Sequence, residues 1–492
     1  MSDTKHAQSQ QFSPRQEYQN FIDGRWCPSQ SGDTIQVENP STLEVITQSA
    51  RSSTVDVAAA VQSAARGFEI WRALQPVERG RTLNRIAALV RARSGFLAHL
   101  ETLDTGKPLS VSRADVETCA RYFEYYAGAA DKMFGNVIPA ANEYLVYSVR
   151  EPYGVTGHII PWNVPISMAA RGAAPALCAG NSVVLKPAEE TPITTLELAS
   201  LCLEAGLPPG VMNVVTGYGH EAGSALVQHP EVRKVAFTGS VEVGRIVLRS
   251  AADRIVPATV ELGGKSPFIV FGDADLKRAA LLARKAFVYN SGQICSAGTR
   301  LFVHRSAQKA FTDHLIEALS EVRVGDGLSD PTIGPLISAK QLSRVKEYVD
   351  IGRQEGAVLA YGGGRPADVN EGGHFLEPTL FTSASNSMRI AREEIFGPVA
   401  VVIPFDTDDE AVAMANDSEY GLAAAVWTSS VARAHKVAGQ LQAGQIYVND
   451  YMPVGVEAPF GGYKNSGYGR EKGLVALDDY SQLKTVMINR EK

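Results

Sequence analysis

The chain has 492 residues, 45% of them hydrophobic and 20% charged, with a formal net charge of −6. That length exceeds one ordinary core and calls for two or three domains of soluble globular composition. The acidic balance leaves no basic footprint for nucleic acid or an anionic membrane surface, and no apolar run has the length of a membrane span.

Residues 1–17, rich in Ser and Gln, read as a disordered tail, and Met1–Gln19 carries no apolar signal-peptide region. Helical periodicity follows at Ala58–Phe68, Val77–Arg93 and Leu109–Ala130. Glu143–Glu151 alternates Tyr, Val and Leu with polar residues, as a strand of an exposed or partner-facing sheet does. From Gly154 the order becomes strand, turn, helix. Val155–Ile160, Ser182–Lys186, Val211–Val215 and Val232–Phe237 read as strands, with helices at Thr191–Ala205 and Val241–Ser250. This alternation predicts βαβ units and a parallel sheet, the α/β architecture that holds nucleotide cofactors. The second half repeats it: strands at Pro267–Val270, Leu301–Val303, Val399–Phe405 and Ala423–Thr428, and helices at Leu276–Tyr289, Ala307–Leu319 and Lys340–Glu355. Gln482–Ile488 reads as a last strand.

The cysteines are Cys27, Cys119, Cys178, Cys202 and Cys295. Their odd number and wide spacing, with no C-x-x-C, argue against a disulfide framework and against a metal site, and fit a reducing cytoplasm. Cys295 stands apart. It lies in Asn290-Ser-Gly-Gln-Ile-Cys-Ser-Ala-Gly-Thr-Arg300, where small neighbours let a substrate carbon approach the sulfur. Upstream, Val260-Glu-Leu-Gly-Gly-Lys-Ser-Pro267 sets Glu261 beside a flexible Gly-Gly pair, so a nucleophile and a carboxylate base are both available.

Other runs fit the same chemistry. In Pro161-Trp-Asn-Val-Pro165 two prolines stiffen a strand end, and Asn163 offers a neutral amide to an oxyanion, or is a plain turn asparagine. Lys186-Pro-Ala-Glu189 puts an acid after a strand, suited to a ribose hydroxyl or to a helix start. Phe237-Thr-Gly-Ser240 opens a helix whose N-terminus can hold a phosphate. The glycines of Gly217-Tyr-Gly219-His-Glu-Ala-Gly223 are spaced one residue too wide for G-x-G-x-x-G. Glu393-Glu394-Ile-Phe-Gly-Pro398 and the glycine-rich Pro459–Glu471 run complete the set.

In this order these motifs resemble the aldehyde dehydrogenase superfamily, from Asn20-Phe-Ile-Asp-Gly-Arg-Trp26 to Leu483-Lys-Thr-Val486. The resemblance implies a Rossmann-type cofactor domain (18–133 and 154–264), an α/β catalytic domain (265–465) and a small β oligomerisation arm (134–153 and 478–492) of a homodimer or homotetramer. It implies NAD, with NADP possible, and an aldehyde substrate. Cys295 would attack the aldehyde, with Asn163 and the Cys295 amide holding the oxyanion. Hydride would pass to the nicotinamide, and Glu261 would activate water against the resulting thioester. Glu471 would act as a second, proton-relaying glutamate. Lys186 and Glu189 would bind the adenosine ribose, Ser240 the pyrophosphate, and Glu394 and Phe396 the nicotinamide ribose, with Trp162 flanking the pocket. Glu261 favours a free acid over a coenzyme A ester, and the intact Cys295, Glu261 and Asn163 set speaks against a non-catalytic structural relative. Arg171 stands where several relatives carry an aromatic tunnel residue. It is expected either to bind a substrate carboxylate or ring or to pair inside the protein. Tyr451, Val454 and Phe460 fall where the family builds the outer pocket wall, so the expected substrate is an aromatic or carboxylate-bearing aldehyde.

Overall fold

The computed structural model describes residues 13–370, 372–452 and 455–490. Most of the expected tail, Val454, and the last two residues of the expected arm lie outside them. Among the described residues the chain forms two large sheets with helices packed against them, plus smaller sheets.

The first large sheet has eight strands in the order Gly467–Tyr468, Ala258–Glu261, Val232–Thr238, Val155–Ile160, Ser182–Pro187, Met212–Val214, Asn20–Ile22, Arg25–Cys27. Its five central strands are parallel, and the flanking pairings are antiparallel. The central strands read as Val-rich runs because helices cover both faces. Ala258–Glu261 escapes the periodicity reading: with four residues ahead of Gly263-Gly264, it is too short to show a pattern.

The helix Pro165–Cys178 was also not legible. Pro165 fixes its first turn, but all fourteen residues are buried, so no polar stripe marks it, and Gly172 and Pro175 interrupt it. Gly172 is needed for close packing, since a Cβ there would lie 2.6 Å from His158 Nδ1 on the neighbouring strand. Trp71 ties the helix down by donating from Nε1 to Leu177 O at 2.8 Å.

The second sheet has seven strands, Val358–Tyr361, Thr379–Thr382, Val399–Phe405, Arg300–His304, Pro267–Val270, Ala423–Trp427 and Gln445–Val448, all parallel except at the Val358–Tyr361 edge. Its core is aliphatic and aromatic on both faces, with Phe302, Val401 and Val426 fully buried. A third sheet pairs Tyr144–Pro152 with Ser481–Asn489 over nine residues, with Val137–Ile138 at its edge. Leu483 and Met487 on this sheet are 61% and 70% exposed. No helix among the described residues is long and apolar enough to cross a membrane.

Candidate active site

Strand ends build the site. Asn163 follows Val155–Ile160, Ser240 follows Val232–Thr238, and Glu261 closes Ala258–Glu261, so three parallel strands deliver polar groups at their carboxyl ends. The second sheet contributes from the opposite sense: Cys295 precedes Arg300–His304 and Glu394 precedes Val399–Phe405. Gly263 and Gly264 join the sheets. A Cβ on Gly264 would lie 2.5 Å from Cys295 O, and one on Gly263 would overlap the Glu394 carboxylate.

The result is a cavity of about 1170 Å³ that Asn163, Glu261 and Cys295 all line. The backbone ahead of the cysteine is strained, with Asn290, Ser291 and Gly292 at φ 51°, 56° and 72°. Such geometry persists where neighbours over-determine it. Here Asn290 Nδ2 donates to Asn163 O (3.1 Å), Ser291 Oγ to Gly334 O (2.8 Å), and Gln293 Oε1 accepts from Ile337 N (2.9 Å). Asn163 Nδ2 donates to Gln293 O at 2.9 Å, which ties the amide to the Cys295 loop and leaves its second hydrogen for another acceptor. Asn290 and Gln293, which stand in the Cys295 run with no role expected of them, hold this loop in place.

Burial pushes the Cys295 thiol up to about 12, against the pull of Arg171, so the sulfur is protonated at neutral pH and needs a base. Glu261 is buried with both carboxylate oxygens lacking a hydrogen-bond partner. Burial, with Glu471 adding like charge, holds its pKa well above the ordinary carboxylate value.

Arg171 rises from the Pro165–Cys178 helix between the two glutamates. Its Nε makes a close ion pair with Glu471, and Nη2 lies 4.0 Å from Glu261 Oε2. Its guanidinium stacks 4.4 Å from the Phe460 ring centre. Phe460 and Glu471 exchange backbone hydrogen bonds at 2.7 and 2.8 Å, which sets ring and carboxylate side by side for the arginine. Arg171 therefore lines the cavity with its charge already engaged inside the protein. Phe460 lines it too, with Tyr447, Met168 and Ile294. Tyr451 sits below: it is fully buried, its hydroxyl donates to Ser296 O, and it supports the Cys295 loop without reaching the cavity lining. Tyr447 and Met452, which line the cavity, were not singled out in the sequence because nothing distinguishes them from core residues.

The cavity and the strand end beside it carry groups that suit a dinucleotide. Ser240 caps the helix Val241–Asp253, its Oγ accepting from Val243 N at 3.3 Å, so free amides and the helix dipole face the cavity. Trp162 meets Phe396 edge-on, with ring centres 5.2 Å apart. Glu394 accepts from Gly264 N at 3.1 Å, and burial lifts its pKa to about 7. Lys186 and Glu189 form an ion pair of 3.1 Å at the end of Ser182–Pro187; Glu190 beside them lines the cavity. Gly219–Gly223 forms a π-helical turn outside the cavity lining and takes no part in it. Among the described residues, no group of three or more His, Cys, Asp or Glu is placed to hold a metal ion.

Comparison with known proteins identifies the family. The model of the aldehyde dehydrogenase family matches residues 26–486. A hydroxyisobutyraldehyde dehydrogenase of Mycolicibacterium austroafricanum is 45% identical over 472 residues, covering 96% of this chain and 94% of the relative. An aldehyde dehydrogenase from Bacillus cereus, solved as its NAD+ complex, is 43% identical with a TM-score of 0.95, covering 98% of each chain. An indole-3-acetaldehyde dehydrogenase of P. syringae, solved as a mutant with NAD+ and IAA, is 41% identical with a TM-score of 0.96, again covering 98% of each.

Proposed function

The chain belongs to the aldehyde dehydrogenase family, and we propose that it oxidises an aldehyde to the free carboxylic acid with NAD through a thioester on Cys295. The observation that carries this reading is that Cys295, Asn163 and Glu261 line one cavity. Cys295 Sγ loses its proton to a base and bonds to the aldehyde carbon. The Asn163 amide and the Cys295 backbone N–H hold the oxygen as it becomes negative. NAD, when bound, supplies the hydride acceptor. Glu261 then takes a proton from water, which attacks the thioester and frees the thiol. Glu471 is the next carboxylate for that proton.

Ser240 would hold the pyrophosphate, Lys186 and Glu189 the adenosine ribose, and Glu394 and Phe396 the nicotinamide ribose, with Trp162 along the pocket. NADP would have to place its extra phosphate against Glu189. The Phe460, Tyr447 and Met168 wall favours an aromatic or extended aldehyde. A carboxylate on the substrate would compete with Glu471 for Arg171. The exposed apolar positions of the third sheet support a homodimer or homotetramer, and five free thiols suit the cytoplasm.

The test is NADH appearance with a panel of aldehydes, with and without coenzyme A. Acid and NADH should form without coenzyme A, and Cys295→Ala should abolish turnover while still binding NAD. An absolute requirement for coenzyme A would replace hydrolysis with acyl transfer, and turnover by Cys295→Ala would remove the cysteine from the reaction.

A further inference from the structure

Among the cations that line the cavity is Lys472, which neither the motifs nor the proposed chemistry uses. It follows Glu471 directly but points elsewhere: its backbone is left-handed (φ 62°), so successive side chains diverge. Glu471 turns to Arg171, whereas Lys472 Nζ lies 5.2 Å from the Phe460 ring centre, alongside the ring that Arg171 also stacks on. Among the described residues no carboxylate lies within ion-pair distance of its Nζ, and no acceptor takes a hydrogen bond from it; Lys472 lines the cavity. Of the two cations on this wall, then, the arginine is engaged and the lysine is open.

We propose that Lys472 is a specificity-determining residue, receiving the carboxylate of a carboxylate-bearing aldehyde whose carbonyl meets Cys295. This rests on the dehydrogenase reading above and selects a substrate class within it. The charge balance of the wall supports it. Arg171 and Glu471 offset one another in a close ion pair, which leaves Lys472 as the cation beside Phe460 that no carboxylate among the described residues contacts. The groups facing Lys472 are Arg171 from the Pro165–Cys178 helix, Glu261 from its strand end, Cys295 from the nucleophile loop, and Glu471 beside it. Glu457 also feels its charge from the preceding turn. Burial, reinforced by Arg171, lowers the Lys472 pKa to about 8. The ammonium form binds an anion, so preference for a carboxylated aldehyde is present below that pH and fades above it.

The experiment compares kcat/KM for 4-carboxybenzaldehyde and benzaldehyde in the wild type, Lys472→Gln and Lys472→Arg from pH 6.5 to 9.5. The ratio of the two values should fall about ten-fold or more in Lys472→Gln, the usual worth of one charge-assisted hydrogen bond. In the wild type the ratio should decline above about pH 8. Lys472→Gln should flatten that decline, and Lys472→Arg should keep the ratio while moving the decline to higher pH. A merely structural lysine would lower both values together and leave the ratio and its pH profile unchanged, which overturns the proposal while the dehydrogenase reading stands. A wild-type protein that yields NADH from neither aldehyde, nor from any other in a panel, removes both.

Discussion

At the scale of single residues, the buried charges of the tunnel wall decide what a substitution costs. Arg171 neutralises Glu471 with both side chains out of water. Removing one partner of such a pair leaves the other charge uncompensated, which costs about 3–5 kcal/mol. Arg171→Leu is therefore expected to lower the thermal midpoint and to depress turnover of all aldehydes together. A calorimetric scan beside a substrate panel checks this. A variant of unchanged stability whose KM rises only for carboxylated or aromatic aldehydes would instead make Arg171 a direct substrate contact. Cys295, Glu261 and Asn163 were legible because small residues, a Gly-Gly pair and paired prolines set them off from their surroundings. Lys472 was not, since a lysine after a glutamate in a glycine-rich run reads as surface charge until the fold turns it inward.

At the scale of elements, the strand ends carry the account. Much of the alternation of strands with helices was readable from Val155 to Val241 because the central strands are rich in Val, Ile and Leu. Two pieces that matter to the site were hidden for opposite reasons: Ala258–Glu261 is too brief for a pattern, and Pro165–Cys178 is buried all round. The end of Ser182–Pro187 yields a prediction of its own. Glu189, held by Lys186, should accept from both hydroxyls of an adenosine ribose and repel a 2′-phosphate. The value of kcat/KM should accordingly be higher with NAD than with NADP. Equal values, or an advantage for NADP, would mean that Lys186 outweighs Glu189.

At the scale of the whole molecule, the two large sheets are joined through Gly263-Gly264, and the third sheet exposes apolar side chains. Leu483 and Met487 lie on one face of the Ser481–Asn489 strand, two pleats apart. Exposed apolar residues in such an array call for a covering surface, and a second copy of the chain supplies one. Sedimentation should find a dimer or tetramer, and replacing Leu483 and Met487 together with Lys should shift the protein to smaller species. A monomeric wild type would remove the arm from assembly. The alternating pattern of Glu143–Glu151 made the Tyr144–Pro152 strand legible, whereas its pairing with Ser481–Asn489 leaves no local trace across more than 300 residues, and only the family resemblance put the two in one arm.

The central claim is that Glu261 frees the acid from Cys295, and rapid-mixing spectroscopy of Glu261→Gln tests it most directly. Burial, with the Glu471 charge beside it, raises the Glu261 pKa, so wild-type hydrolysis should slow as pH falls through values well above the usual carboxylate range, where the base is lost. The glutamine cannot take a proton from water at any pH. Mixing the variant with aldehyde and NAD should give one equivalent of NADH per active site, then a stalled steady state that lacks the wild-type pH limb. Steady-state turnover at the wild-type rate, or loss of the NADH burst itself, would contradict the account.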